Sequence, residues 1–178
     1  MMKVFVSCIW MILGCWIQAQ DVFNHNVVST AILLQEEDIN TPSYEFAPVF
    51  FGEYIAFVYD RGNSLYYDEV YNTPYFDLAF AAKNTLGNLS KKASFEPALS
   101  SEFQEGPFTF YNNDRSILYT RTHPVTGKLM IYQSHFSESG WSVGKPLTLL
   151  GESYHLCHPT ISESGKFLVF AAADIKEG

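Results

Sequence analysis

The chain has 178 residues, of which 47% are hydrophobic and 16% aromatic, with a formal net charge of −8. That length suits one domain, and many aromatics beside few charges fit short, well-buried β-strands. The acidic balance excludes a nucleic-acid partner, because phosphate binding draws on clustered Lys and Arg and the one adjacent basic pair is Lys91-Lys92.

Residues 1–19 read as a secretory signal. Lys3 precedes an apolar run over residues 4–17, too short for a membrane span, and Gln18-Ala19-Gln20 supplies a small-residue cleavage site. Cleavage is expected after Ala19, with Gln20 the next choice, leaving no membrane span. Ile12-Leu13-Gly14-Cys15 resembles a bacterial lipobox, which would make Cys15 a lipidated N-terminus, but Trp16-Ile17 continues the apolar run where a polar segment is required. With Cys8 and Cys15 removed, Cys157 is the one cysteine left, so no intramolecular disulfide can form, and a buried position as a small hydrophobe is expected for it. Residues 20–36 form a lead whose β-branched stretch, 27–34, reads as a strand, with a helix over 31–38 as the competing reading.

From residue 37 onward the chain repeats itself. Tyr44-Glu45-Phe46-Ala47-Pro48 leads into Val49-Phe50-Phe51, a Gly52-Glu53 turn and a strand over 54–59. Glu105-Gly106-Pro107 leads into a strand over 108–111, the turn Asn112-Asn113-Asp114-Arg115, a strand over 117–120 and a third strand from Leu129. Cys157-His158-Pro159 leads into Thr160-Ile161, the turn Ser162-Glu163-Ser164-Gly165 and a strand over 167–172. The prolines at 48, 107 and 159 stand 59 and 52 positions apart. A unit of four short strands repeating at this spacing points to propeller blades rather than a helical solenoid. Third strands are expected at Asp77-Leu78-Ala79-Phe80-Ala81 and Met130-Ile131-Tyr132-Gln133-Ser134, and outer fourth strands at residues 95–99 and 144–149, where an edge tolerates proline. The fold class expected is therefore all-β: an incomplete β-propeller of about two and a half four-stranded antiparallel blades over residues 37–178. Its blades run over about 44–103, 104–156 and, incomplete, 157–178, as in a fragment of a longer chain.

Tyr44-Glu45-Phe46-Ala47-Pro48-Val49-Phe50, Tyr75-Phe76-Asp77-Leu78 and Gly140-Trp141-Ser142 with Pro146-Leu147 and Leu150-Gly151 resemble the TolB-type, WD-like propeller repeats of Bacteroidetes envelope proteins. The resemblance covers residues 37–178. It implies an exported scaffold at the periplasm or the periplasmic face of the outer membrane, in an OmpA-linked or type IX secretion-associated assembly, with envelope proteins or glycans as partners. Peptidoglycan would be reached only through a C-terminal domain missing here. Met130 stands where the family usually has an aspartate.

The residues themselves offer several candidate sites. Gly140-Trp141-Ser142-Val143-Gly144 matches G-x-S-x-G, whose chemistry needs a strand-to-helix turn with a histidine beside the serine. Here no helical periodicity follows, so the stretch reads as a hairpin turn entering an outer strand, with Trp141 packed between blades. His155, Cys157 and His158 could supply ligands to a zinc ion, although an extended segment turns His158 away from the other two; an inter-blade connection is the simpler reading. Asp60, Asp68, Glu69, Asp77, Glu96 and Asp114 are scattered carboxylates, and glycoside hydrolysis would need two of them across one pocket. Asp60-Arg61-Gly62-Asn63 and Asn112-Asn113-Asp114-Arg115 read as turns. Tyr66, Tyr67 and Tyr71, in a long loop of the first blade, are candidate contacts to a protein or glycan, or else part of an ordered hairpin extension. No cofactor is expected. The reading is a non-enzymatic binding module, with the N-terminal part of a propeller hydrolase acting on glycans or peptides as the alternative.

Overall fold

Short apolar, aromatic-rich runs interrupted by Gly, Asn and Asp turns give strands with both faces to bury. The computed structural model describes residues 39–62, 67–68, 73–85, 88–95 and 97–175. All of its named elements are strands: β1 Glu45–Phe51, β2 Tyr54–Asp60, β3 Tyr67–Asp68, β4 Thr73–Pro74, β5 Phe76–Ala82, β6 Ala93–Ser94, β7 Glu105–Tyr111, β8 Ser116–Thr122, β9 Leu129–Ser137, β10 Gly140–Trp141, β11 Lys145–Pro146, β12 Tyr154–Ile161 and β13 Leu168–Asp174. The chain is thus all-β, in several antiparallel sheets of which none is closed.

The first sheet runs β1-β2-β5-β6, and β3-β4 forms a separate hairpin in the β2–β5 connection. The second runs β7-β8-β9, with an outer strand in two pieces: β10 pairs with Phe136 and Ser137, β11 with Tyr132 and Gln133. The third unit is the β12-β13 hairpin.

Two expectations need correcting. The outer strand of the first sheet is Ala93–Ser94, not residues 95–99, because Phe95 and Leu99 are drawn into the core between the sheets and Pro97 lies in a turn. The prolines do not precede their strands either; each lies inside one, at a bulge. Pairing is interrupted between Phe46 and Val49, between Glu105 and Phe108, and between Cys157 and Thr160. A residue without an N–H is tolerated where the ladder is already broken.

Registers show how the units correspond. Val49 pairs with Ala56, Thr109 with Leu118 and Thr160 with Val169. Pro48 and Pro159 immediately precede these positions, and Ala47 and His158 before them are left-handed, with φ of 52° and 55°. Pro107 sits one residue earlier, so the second bulge lies opposite Thr120 instead. The third strands match as the sequence reads them, since Ala56 faces Phe80 and Leu118 faces Gln133, which places Asp77 level with Met130.

The faces follow the same order. Phe57 joins a cluster with Ala79, Ala81 and Ile39; its counterpart Tyr119 packs toward the first sheet, and Phe170 packs toward the second. Ala56 packs toward the second sheet and Leu118 toward the third unit, while their counterpart Val169 is 69% exposed. Between first and second sheets the core joins Ala56, Val58 and Leu78 to Phe108, Phe110 and Tyr119, and Phe51 stacks on Phe110 at 4.4 Å. The valine, leucine and phenylalanine side chains each contribute about 1.5–3 kcal/mol by leaving water.

The hairpin turns are linked in series. Asp114 Oδ2 accepts from the Gly52 N–H at 3.1 Å, and Glu163 Oε1 accepts from the Asn113 N–H at 2.8 Å. Asn112, Asn113 and Asp114 all have left-handed φ, which Asn and Asp tolerate better than most residues.

Candidate functional site

The second strand of the first sheet ends in Asp60, and the next residue, Arg61, turns its guanidinium into the seam with the second sheet. Its Nη2 lies 2.8 Å from Glu105 Oε2 and 3.3 Å from Asp77 Oδ2, and donates to the Phe103 carbonyl at 3.3 Å. Arg121, from β8, approaches the other oxygen of Glu105 at 3.5 Å. Ser101 donates to Glu105 Oε1, and Ser100 donates to Asp77 Oδ2 at 2.6 Å. The Leu78 N–H closes the set on Asp77 Oδ1 at 2.7 Å. Glu105 is fully buried and Asp77 nearly so.

Burial pushes Glu105 up to about 8; the Ser101 hydrogen bond opposes this, Asp77 adds to it, and Arg61 and Arg121 oppose it. Tyr119, packed beside this seam, is pushed up to about 12 by burial, against the pull of Arg121. Its hydroxyl has no hydrogen-bond partner among the described residues. This arrangement favours the protonated form of Glu105 and fastens one sheet to the next.

Of the carboxylates singled out in the sequence, Asp77 enters this network. Asp60 Oδ1 instead accepts from the Gly62 N–H at 2.6 Å, and Asp114 ties two turns together. Arg61 is therefore more than a turn residue, and Glu105 and Arg121 were missed. Ser101 bonds Glu105 from four positions away, but the charges that meet across the seam are 44 and 16 positions apart along the chain and leave no local mark.

Ser142 lies between the two pieces of the outer strand, with no helix after it. Its Oγ accepts from the His135 backbone N–H at 3.1 Å, whereas the His135 ring pairs through Nδ1 with Ser116 Oγ at 2.9 Å. Trp141 is buried between the first two sheets, as its place in the repeat predicts. His155 Nδ1 accepts from the Leu129 N–H at 3.1 Å, and His158 is exposed, its N–H donated to Thr120 Oγ1 at 3.0 Å. Cys157 is half-buried rather than enclosed, and burial raises its thiol. Among the described residues no three His, Cys, Asp or Glu side chains converge as metal ligands.

Tyr67 lies in the β3-β4 hairpin, paired with Pro74, and Asp68 pairs with Thr73. Tyr66, Tyr71, Glu69 and Glu96 lie outside the described residues, as do Cys15, Ala19, Gln20 and the strand or helix expected within residues 27–38.

These features define a protein of antiparallel sheets packed face to face and pinned at the seam by a buried charge network. Comparison of the chain with family models, curated proteins and solved structures finds no match to any of them.

Proposed function

We propose that the chain is an exported, non-enzymatic binding or scaffold module of a bacterial cell envelope, formed from TolB-type β-propeller blades and working at the periplasm or the periplasmic face of the outer membrane. The observation that carries this reading is the ordered use of sheet faces. Counterpart residues Phe57, Tyr119 and Phe170 each face the preceding side of their unit, and Ala56 and Leu118 face the following one. Successive blades of a propeller pack in this sense. The charged groups fit a structural role as well: Arg61 bridges Asp77 of the first sheet and Glu105 of the second across the seam. Envelope proteins or glycans are the partners this reading implies, within an OmpA-linked or type IX secretion-associated assembly.

The test compares Ser142→Ala and Asp77→Asn with the parent chain. Capture of envelope partners should persist in both, apart from modest folding losses with Asp77→Asn. Turnover on a panel of glycans and peptides that either substitution abolishes, at constant fold, would replace the scaffold with a propeller hydrolase.

A further inference from the structure

At the end of β2 away from Arg61, residues of the first two sheets line a cavity of about 570 Å³. Phe51 and Tyr54 reach it from either side of the Gly52-Glu53 turn, Phe80 from β5, Phe95 from beyond β6, and Phe136 and Trp141 from the far edge of the second sheet. Their rings form a continuous wall. Tyr54 meets Phe80 edge-on at 5.5 Å, Phe80 meets Phe95 at 5.2 Å, and Phe95 and Trp141 each lie 6.3 Å from Phe51. Phe136 closes the circuit on Trp141 at 5.3 Å.

We propose that this bowl is a binding site for a neutral aromatic small molecule of two or three rings. The chemistry of the wall selects that class. No described lining residue is charged, and Ser94 turns its hydroxyl toward Tyr59, 3.4 Å away, on the other face of the sheet. An anion entering here would lose hydration and meet only the electron-rich faces of the rings. A flat ring system instead meets both faces and edges of the wall rings, the geometry aromatic pairs favour, and the volume lies within the range of small-molecule sites. The rim rings Tyr54 and Phe136 are 38% and 43% exposed, so the bowl is open to solvent. The site stands apart from the scaffold reading and needs no envelope partner.

The probe is N-phenyl-1-naphthylamine, titrated against the full chain with fluorescence as the readout. Saturable binding at one site is expected, weakened at least fivefold by Tyr54→Ala and by Phe136→Ala, and lost in the double variant. Both side chains are on the rim, and circular dichroism and thermal melting of each variant confirm that the fold is kept. Phe167→Ser and Val169→Ser, which remove exposed apolar surface on the third unit, should leave binding unchanged. Benzenesulfonate, an anionic competitor, should not displace the probe. Absence of saturable binding to the folded chain would overturn the proposal. So would binding indifferent to the rim variants, binding lost with the third-unit variants, or displacement by the anion.

Discussion

Arg61 Nη2 lies 2.8 Å from Glu105 Oε2, across the seam between two sheets and 44 residues away in the chain. One guanidinium thereby fixes the start of the second sheet against the end of β2, with Asp77 and the Phe103 carbonyl as its further anchors. All three contacts converge on this one nitrogen.

Glu105 sets a pH dependence. Its folded value, about 8, stands above the ordinary 4.5, so the folded state holds the proton more tightly than the unfolded chain. The stability this confers is full below about pH 4.5 and is lost as pH rises through about 8. Glu105→Gln keeps the neutral form at every pH. The melting temperature of the parent should therefore fall relative to Glu105→Gln between pH 5 and pH 8.5, and parallel curves would contradict the assignment.

Removing Arg61 should be most costly where Glu105 is ionised. At pH 9, Arg61→Met leaves a buried carboxylate without its nearest cation and should destabilise by about 3–5 kcal/mol in urea titrations. At pH 6 the bound proton neutralises the same group and the loss should be clearly smaller. An equal loss at both pH values would mean that Arg61 does not act through the charge of Glu105.

Thr120 joins the second and third units. Its hydroxyl donates to the Pro107 carbonyl at 3.2 Å and accepts from the His158 N–H at 3.0 Å, bridging two bulges. Thr120→Val keeps the shape and removes both bonds, so a loss of about 1–3 kcal/mol is expected. Hydrogen exchange at the His158 amide should speed up more than exchange at Phe57, in the first sheet.

Gly144 leaves room for Tyr119. A Cβ at this glycine would stand 1.9 Å from the tyrosine oxygen and 2.9 Å from its Cζ. Gly144→Ala should therefore destabilise by about 1–3 kcal/mol through overpacking. Tyr119→Phe in the same chain should restore part of the loss, because it removes the atom in closest conflict; a double variant no better than Gly144→Ala would count against this contact.

The local sequence determined the strands and their turns. The apolar, aromatic-rich runs over 54–59 and 117–120, broken by Gly52-Glu53 and Asn112 to Arg115, depend on neighbours in the chain alone, and β2 and β8 lie where that pattern puts them. The repeat also located the third strands and the packing of Trp141. Only the tertiary structure decided which residues meet across the seam. Phe110 is 7% exposed because the first sheet covers it, whereas its counterpart Phe50 is 79% exposed; both are phenylalanines in the same motif, and burial depends on what lies opposite. Phe95 and Leu99 leave the edge for the core for the same reason, shortening the expected strand to Ala93–Ser94. Glu105 reads locally as an ordinary charge at a strand start. Its proton affinity is set by desolvation and by Asp77, Arg61 and Arg121, groups brought near by sheet packing, so the property exists only in the folded chain.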